Sequence, residues 1–294
     1  MMTAMETSEF TLTAPDGQAL AATRWSGDGD PSVIVQIAHG MGEHSGRYAR
    51  LAGELVAAGA VVYAHDHRGH GRTAGGPEHH GDLGPGGWPA LVADVRLVGG
   101  HARAEHPDLP LVVIGHSMGS FALQRLLLDH SDEIDGAVLS GSTAFDMIAA
   151  GIDPTKEVDL SAFNAPFEPA RTEYDWLSRD PDEVDAYVAD PACGFGLVPA
   201  STKSMLEGME GTADPDRLRG IRSDLPILIA SGDADPLAGG GPLVTMLADR
   251  YREARLASVS VRLYPGARHE VFNETNRDEV TADVIAWIGR ITGD

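Results

Sequence analysis

The 294-residue chain has a single cysteine, Cys193, which excludes an intrachain disulfide framework and a cysteine-built zinc site and fits a reducing compartment. Basic side chains are scarce as well. Against 44 acidic residues stand 22 basic ones, and the formal charge of −22 describes a surface that repels nucleic-acid phosphates and anionic lipid headgroups. Nucleic acid is therefore not an expected partner, and the acidity reads as a solvated surface. Long apolar runs are also missing: the longest, Leu55 to Ala64, is well short of the roughly 20 residues that span a bilayer, so no integral membrane segment is expected. Met1 to Glu9 carries neither a basic n-region nor an apolar h-region, which points to a cytoplasmic location.

What is present is a chain 43% hydrophobic and 22% charged, the balance of a folded protein with a substantial core. Phe10–Thr13 and Gln18–Ala22 flank the turn dipeptide Asp16-Gly17 and predict a β-hairpin. Beyond it, Val33–Ile37, Val61–Ala64, Leu111–Ile114, Ala137–Leu139, Ile227–Ala230 and Ser258–Leu263 read as short strands, most of them buried. Helical spacing separates several of them, in Leu51/Leu55/Val56, Leu91/Val92/Val95/Val98 and Leu123/Leu126/Leu127, and closes the chain in Val280/Val284/Trp287/Ile288/Ile291. Alternating strands and helices imply an α/β fold: a mostly parallel central sheet with helices on both faces. Residues 143–222 break the rhythm with seven prolines among acidic and isolated apolar side chains, and read as an inserted cap on a core made of 1–142 and 223–294. Its Phe163, Phe167, Tyr174, Trp176, Phe195, Met205 and Met209 are expected mostly to pack the cap, with a minority lining a pocket. Cys193 reads as a packing residue of the same segment.

Gly115-His116-Ser117-Met118-Gly119 lies between a predicted strand and a predicted helix. In a chain with 35 glycines the Gly-X-Ser-X-Gly pattern alone is weak, but the strand-to-helix position is what a nucleophile elbow requires. A serine hydroxyl needs a base, and the base needs an acceptor that fixes its tautomer. His269 follows the strand ending at Leu263, and Asp233 and Asp235 follow the strand ending at Ala230. The order Ser, Asp, His, each beyond a strand's C-terminal end, matches an α/β-hydrolase, with either aspartate able to serve. A second oxyanion donor is expected from the loop Ala38–Tyr48, which contains Gly40, Gly42 and Gly46.

Within that loop His39-Gly40-Met41-Gly42-Glu43-His44, followed by Arg47-Tyr48, resembles the oxyanion loop of the monoacylglycerol lipase and lysophospholipase family of serine hydrolases. Asp66-His67-Arg68-Gly69-His70-Gly71 and Gly115–Gly119 are similar to the next two family motifs, so the resemblance covers about residues 8 to 290. It implies the α/β-hydrolase fold, Ser117 as nucleophile, Asp235 as acid, His269 as base, and the backbone N–H groups of Met41 and Met118 as oxyanion hole. It also implies a small-molecule lipid or ester substrate; within that class a monoacylglycerol or similar short-to-medium acyl ester is expected because a neutral substrate suits a chain of charge −22 better than an anionic lysophospholipid, and the triad chemistry needs no cofactor and no metal.

His65-Asp66-His67-Arg68-Gly69-His70 superficially resembles a dinuclear metal-binding string, but Gly69 stands where that pattern needs an aspartate; the segment is expected to shape a loop through side-chain-to-backbone hydrogen bonds. Arg47 and Tyr48 read as the start of a helix, and His44, His79, His80 and His116 as solvated or locally bonded. Alternatives to the monoacylglycerol reading are a lysophospholipase or general carboxylesterase, then a proline iminopeptidase-like aminopeptidase, whose substrate ammonium Glu157, Asp159, Glu168, Glu173 or Asp175 would hold, then a non-catalytic binding protein of the same fold.

Overall fold

The computed structural model describes residues 5–293; Met1–Ala4, part of the stretch read for a leader, lie outside them. β1 (Glu6–Thr13) and β2 (Ala19–Ser26) form the antiparallel hairpin, with Phe10 opposite Ala22. Strands and helices then alternate: β3 (Val33–Ala38), α1 (Ala49–Ala57), β4 (Ala60–His65), α2 (Gly87–Glu105), β5 (Leu111–His116), α3 (Met118–His130) and β6 (Gly136–Ser140). An insertion follows, containing α4 (Pro181–Ala189) and α5 (Pro199–Gly208), before β7 (Ile227–Gly232), α6 (Pro242–Glu253), β8 (Val259–Tyr264) and α7 (Arg277–Thr292) complete the chain. The sheet runs β1-β2-β4-β3-β5-β6-β7-β8, with every pairing from β4 to β8 parallel.

Period-two alternation divides the core in two. Ile34 and Val113 face the layer of α2 and α3, where Leu91, Val95, Leu123 and Leu127 are buried; Val35, Ile37 and Val112 face Leu51 and Leu55 of α1 and Val284 and Trp287 of α7. Gln36, buried among these residues, donates to Val95 O at 2.8 Å, so its amide does not strand a polar group in the core.

Among the described residues the insertion contributes no strand to the sheet. Its prolines act as helix starts: Pro181 and Pro199 occupy the first turns of α4 and α5, where a missing N–H costs nothing, and Asp180 accepts from Asp182 N–H as the cap of α4. α6 lies outside the sequence expectations. Gly239-Gly240-Gly241-Pro242 obscures a stripe of Val244, Leu247, Ala248 and Tyr251 that packs against the sheet. No helix is long and apolar enough to cross a membrane among the described residues.

Candidate active site

β5 ends at His116 and α3 begins at Met118, which leaves Ser117 alone in the turn with φ 51° and ψ −119°. A positive φ strains a residue with a Cβ, and the surroundings hold it there. Ser117 N–H donates to Ser140 O (2.9 Å), and its carbonyl accepts from Ser120 N–H (2.8 Å) and Ser120 Oγ (2.6 Å). The two motif glycines are steric necessities: a Cβ on Gly115 would lie 2.6 Å from Gly119 O, and one on Gly119 only 2.2 Å from Ala38 O. Met118 opens α3, so its N–H is one of the donors a helix start leaves unpaired. Met41, Gly40 and Met118 line one pocket with Ser117.

Asp235, 1% exposed, lies three residues past the end of β7 and accepts from His269 Nδ1 at 2.9 Å through Oδ2, while Oδ1 takes Leu237 N–H at 2.9 Å. This contact fixes the proton on Nδ1 and leaves Nε2 as the basic nitrogen. Burial pulls the His269 pKa down, but the Asp235 carboxylate, helped by Glu270 and Glu43, outweighs it and raises the pKa above 6.5. Asp233 does other work: its Oδ1 accepts from Gly266 N–H (2.6 Å) and pins the turn after β8. Ser117 and His269 line the same pocket without a hydrogen bond between them, a contact that commonly tightens once substrate is seated.

The loop before α1 is built more firmly than its glycines suggest. Glu43, 2% exposed, accepts from Gly40 N–H (2.5 Å), Tyr48 OH (2.7 Å) and Arg47 (2.7 Å), and Arg47 reaches across to grip Glu270 at 2.5 and 2.8 Å. Burial pushes the Glu270 carboxyl up, yet the Arg47 guanidinium beside it prevails and holds it low. Arg47 and Tyr48, expected only to open a helix, thus tie the loop Ala38–Tyr48 to the residue after His269. The i, i+4 spacing of Glu43 and Arg47 is a legible signal; the Glu270 contact, 223 residues away, is not. His116, left unassigned from sequence, packs against the His269 ring with centroids 4.8 Å apart.

Behind the loop four imidazoles are buried in definite tautomers. His39 Nε2 accepts from His67 N–H (2.9 Å), so Nδ1–H donates to Gly40 O (2.7 Å); His67 Nε2–H donates to His39 O (3.1 Å), so its Nδ1 accepts from His65 Nε2–H (3.1 Å). His70 Nδ1–H donates to Arg68 O (2.8 Å), and His65 Nδ1 and His70 Nε2 have no partner. Asp66 shapes the loop as expected, accepting from Ser45 N–H and Arg72 N–H, both at 2.9 Å. Arg68 instead pairs with two carboxylates, those of Asp94 and Asp16. Among the described residues one trio, His44, Asp190 and Cys193, brings metal-capable atoms within 4.8 Å of one another. His44 Nδ1 accepts from Gly46 N–H (3.2 Å), which puts its proton on Nε2 facing Asp190 Oδ2 (2.9 Å), and burial pushes the Cys193 thiol up. The trio is therefore a hydrogen-bonded contact between loop and insertion, not a prepared ligand set.

A mostly parallel sheet with a serine elbow after β5, an acid after β7 and a histidine after β8 has the α/β-hydrolase fold, and the site is that of a serine ester hydrolase. The chain belongs to the serine aminopeptidase, S33 family, which matches residues 29–276. It is 37% identical to a monoacylglycerol lipase of Mycolicibacterium smegmatis across 96% of both chains, and 28% identical to the human monoglyceride lipase across 96% of this chain and 90% of that one. The solved structure of a thermostable carboxyl esterase from Bacillus coagulans in complex with glycerol superposes with a TM-score of 0.89 at 29% identity, covering 98% of this chain and all of that one.

Proposed function

We propose that the protein hydrolyses monoacylglycerols through an acyl-enzyme on Ser117. His269 Nε2 takes the Ser117 proton as Oγ attacks the ester carbon, and Asp235 holds the ring and stabilises its charged form. The N–H groups of Met41 and Met118 receive the oxyanion. The imidazolium then protonates the leaving glycerol, and in the second half-reaction His269 activates the water that releases the fatty acid. Residues 143–222 serve as the cap over this site, and no cofactor takes part in the steps.

The pocket's lining carries this reading. Phe121, Phe145, Ile148, Leu160, Met205 and Leu237 offer an apolar surface to an acyl chain, whereas Glu43 and Glu270 join Ser117 and His269 as a polar surface for hydroxyls. Two carboxylates against the single guanidinium of Arg47 leave that region negative, which favours a neutral glyceride over an anionic lysophospholipid. The names of the relatives agree. The aminopeptidase reading loses support, because none of Glu157, Asp159, Glu168, Glu173 and Asp175 lines the pocket. Asp159 caps the turn at Ser161, and Asp175 accepts from Arg171 and Thr172.

Purified wild type and Ser117→Ala should be assayed on 1-monoacylglycerols, lysophosphatidylcholine, graded p-nitrophenyl esters and a proline arylamide. The expected result is the highest kcat/KM on a monoacylglycerol, lost in Ser117→Ala together with labelling by a fluorophosphonate. Faster turnover of the arylamide than of every ester would overturn the assignment.

A further inference from the structure

The segment Asp175–Asp180 of the insertion is fastened to the loop that carries His269. Trp176 O accepts from His269 N–H (3.3 Å) and Leu177 O from Glu270 N–H (2.8 Å), a short stretch of main-chain pairing between the two. Arg268 reaches Asp175 O and Ser178 O, Ser178 Oγ donates to Asn273 O (2.8 Å), and Arg179 Nε pairs with the fully buried Glu274 (2.8 Å). Arg277 and Asp180 close the series at 2.5 Å. These independent ties fasten this stretch to the loop that carries His269.

Fastening the backbone there sets one side chain against the base. Trp176, 3% exposed, lies with its ring 4.8 Å from the His269 ring at an interplanar angle of 37°. It is itself held from behind: Phe163 packs on it at 5.0 Å, and Asn164 Oδ1 accepts from Trp176 N–H (2.9 Å). The groups that face His269 are Asp235 from the loop after β7, His116 from the end of β5, Glu43 from the loop after β3, and Glu270 from its own loop. The carboxylates act through charge, and His116, with its pKa near 4, stays neutral where the base titrates. Trp176 is the apolar neighbour, and an indole face attracts an imidazolium by cation–π contact while denying it water.

We propose that Trp176 is a positioning residue for His269: the insertion supplies a face that holds the ring and favours its charged form as the Ser117 proton arrives. This rests on His269 being the base, as proposed above. It follows that the insertion matters even for an ester too small to fill the pocket.

Two variants decide it, Trp176→Leu, which keeps the site apolar, and Trp176→Phe, which keeps an aromatic face. Each is measured for kcat and KM on p-nitrophenyl acetate, for the acid limb of kcat/KM, and for the His269 imidazole pKa by NMR, the resonance being identified with His269→Gln. For Trp176→Leu the expected result is a pKa lowered by about half a unit to one unit and kcat lowered about three- to tenfold at nearly constant KM. Trp176→Phe should restore most of both. An unchanged pKa in a folded Trp176→Leu overturns the proposal, as does a kcat loss that comes without a pKa shift and is not rescued by Phe. The titration needs no turnover, so an absence of Ser117-dependent hydrolysis in wild type would count against the function alone.

Discussion

Acid should unfold this protein at a pH where most carboxylates are still ionised, and the reason lies in its buried histidines. His65, His70 and His116 have pKa values pushed down to about 4, and those of His39 and His67 are well below 6.5, burial being the first cause in each. An unfolded histidine titrates near 6.5, so below that pH the unfolded chain binds protons that the native state refuses, and stability falls with pH. At pH 5 the deficit is about 2 kcal/mol for each of His65, His70 and His116, hence about 6 kcal/mol for the three, and His39 and His67 act in the same sense. That is comparable to the whole stability of an ordinary domain, about 5–15 kcal/mol. His269 acts in the opposite sense, since its raised pKa adds stability as pH falls, but it is one group against five. The tautomers add a structural reason: a second proton on His39 or His67 would face a donor already in place. Urea melts at pH 7.5, 6 and 5 read this directly. The midpoint should collapse between pH 6.5 and 5, and His65→Gln, which removes one titrating ring, should reduce the loss by about 2 kcal/mol. Equal midpoints at pH 7.5 and 5 would refute the account.

Three further outcomes follow from the site geometry. Asp235→Asn should cut kcat about 10³- to 10⁴-fold by releasing the His269 tautomer, whereas Asp233→Asn should stay within a few-fold of wild type, both read on a p-nitrophenyl ester. Glu43→Gln removes the carboxylate shared by Gly40, Tyr48 and Arg47; calorimetry should show a loss of about 2 kcal/mol, roughly 5 °C in Tm, with kcat down about tenfold as the loop bearing Met41 loosens. Gly119→Ala should fail to yield soluble protein or melt far below wild type, because its Cβ would meet the backbone carbonyl of Ala38, which has no side-chain freedom to retreat; a variant with the wild-type Tm would contradict the steric argument.

The parts of the site that could be read from the sequence are those whose cause is local. A strand, a strained serine and a helix start occupy seven consecutive residues from Ile114 to Ser120, so the elbow is written in one place, and the ends of β7 and β8 mark where an acid and a base must fall. Local pattern also misleads where its partners are distant. Arg68 sits in a string that looks self-contained, yet it binds Asp16 and Asp94, and Arg47 opens a helical stretch while its charge is spent on Glu270. α6 was hidden because three glycines interrupt the eye before its apolar stripe begins. The same distinction separates the proposed triad from what tunes it. Ser117, Asp235 and His269 are each announced by the strand end that presents them, whereas the groups that set their electrostatics, Glu43, Glu270 and Trp176, are recruited across the fold and have no strand end of their own. Changing a residue of the first kind should abolish the chemistry. Changing one of the second should leave the chemistry in place and move its pH dependence and rate, which is how the two kinds of residue are told apart at the bench.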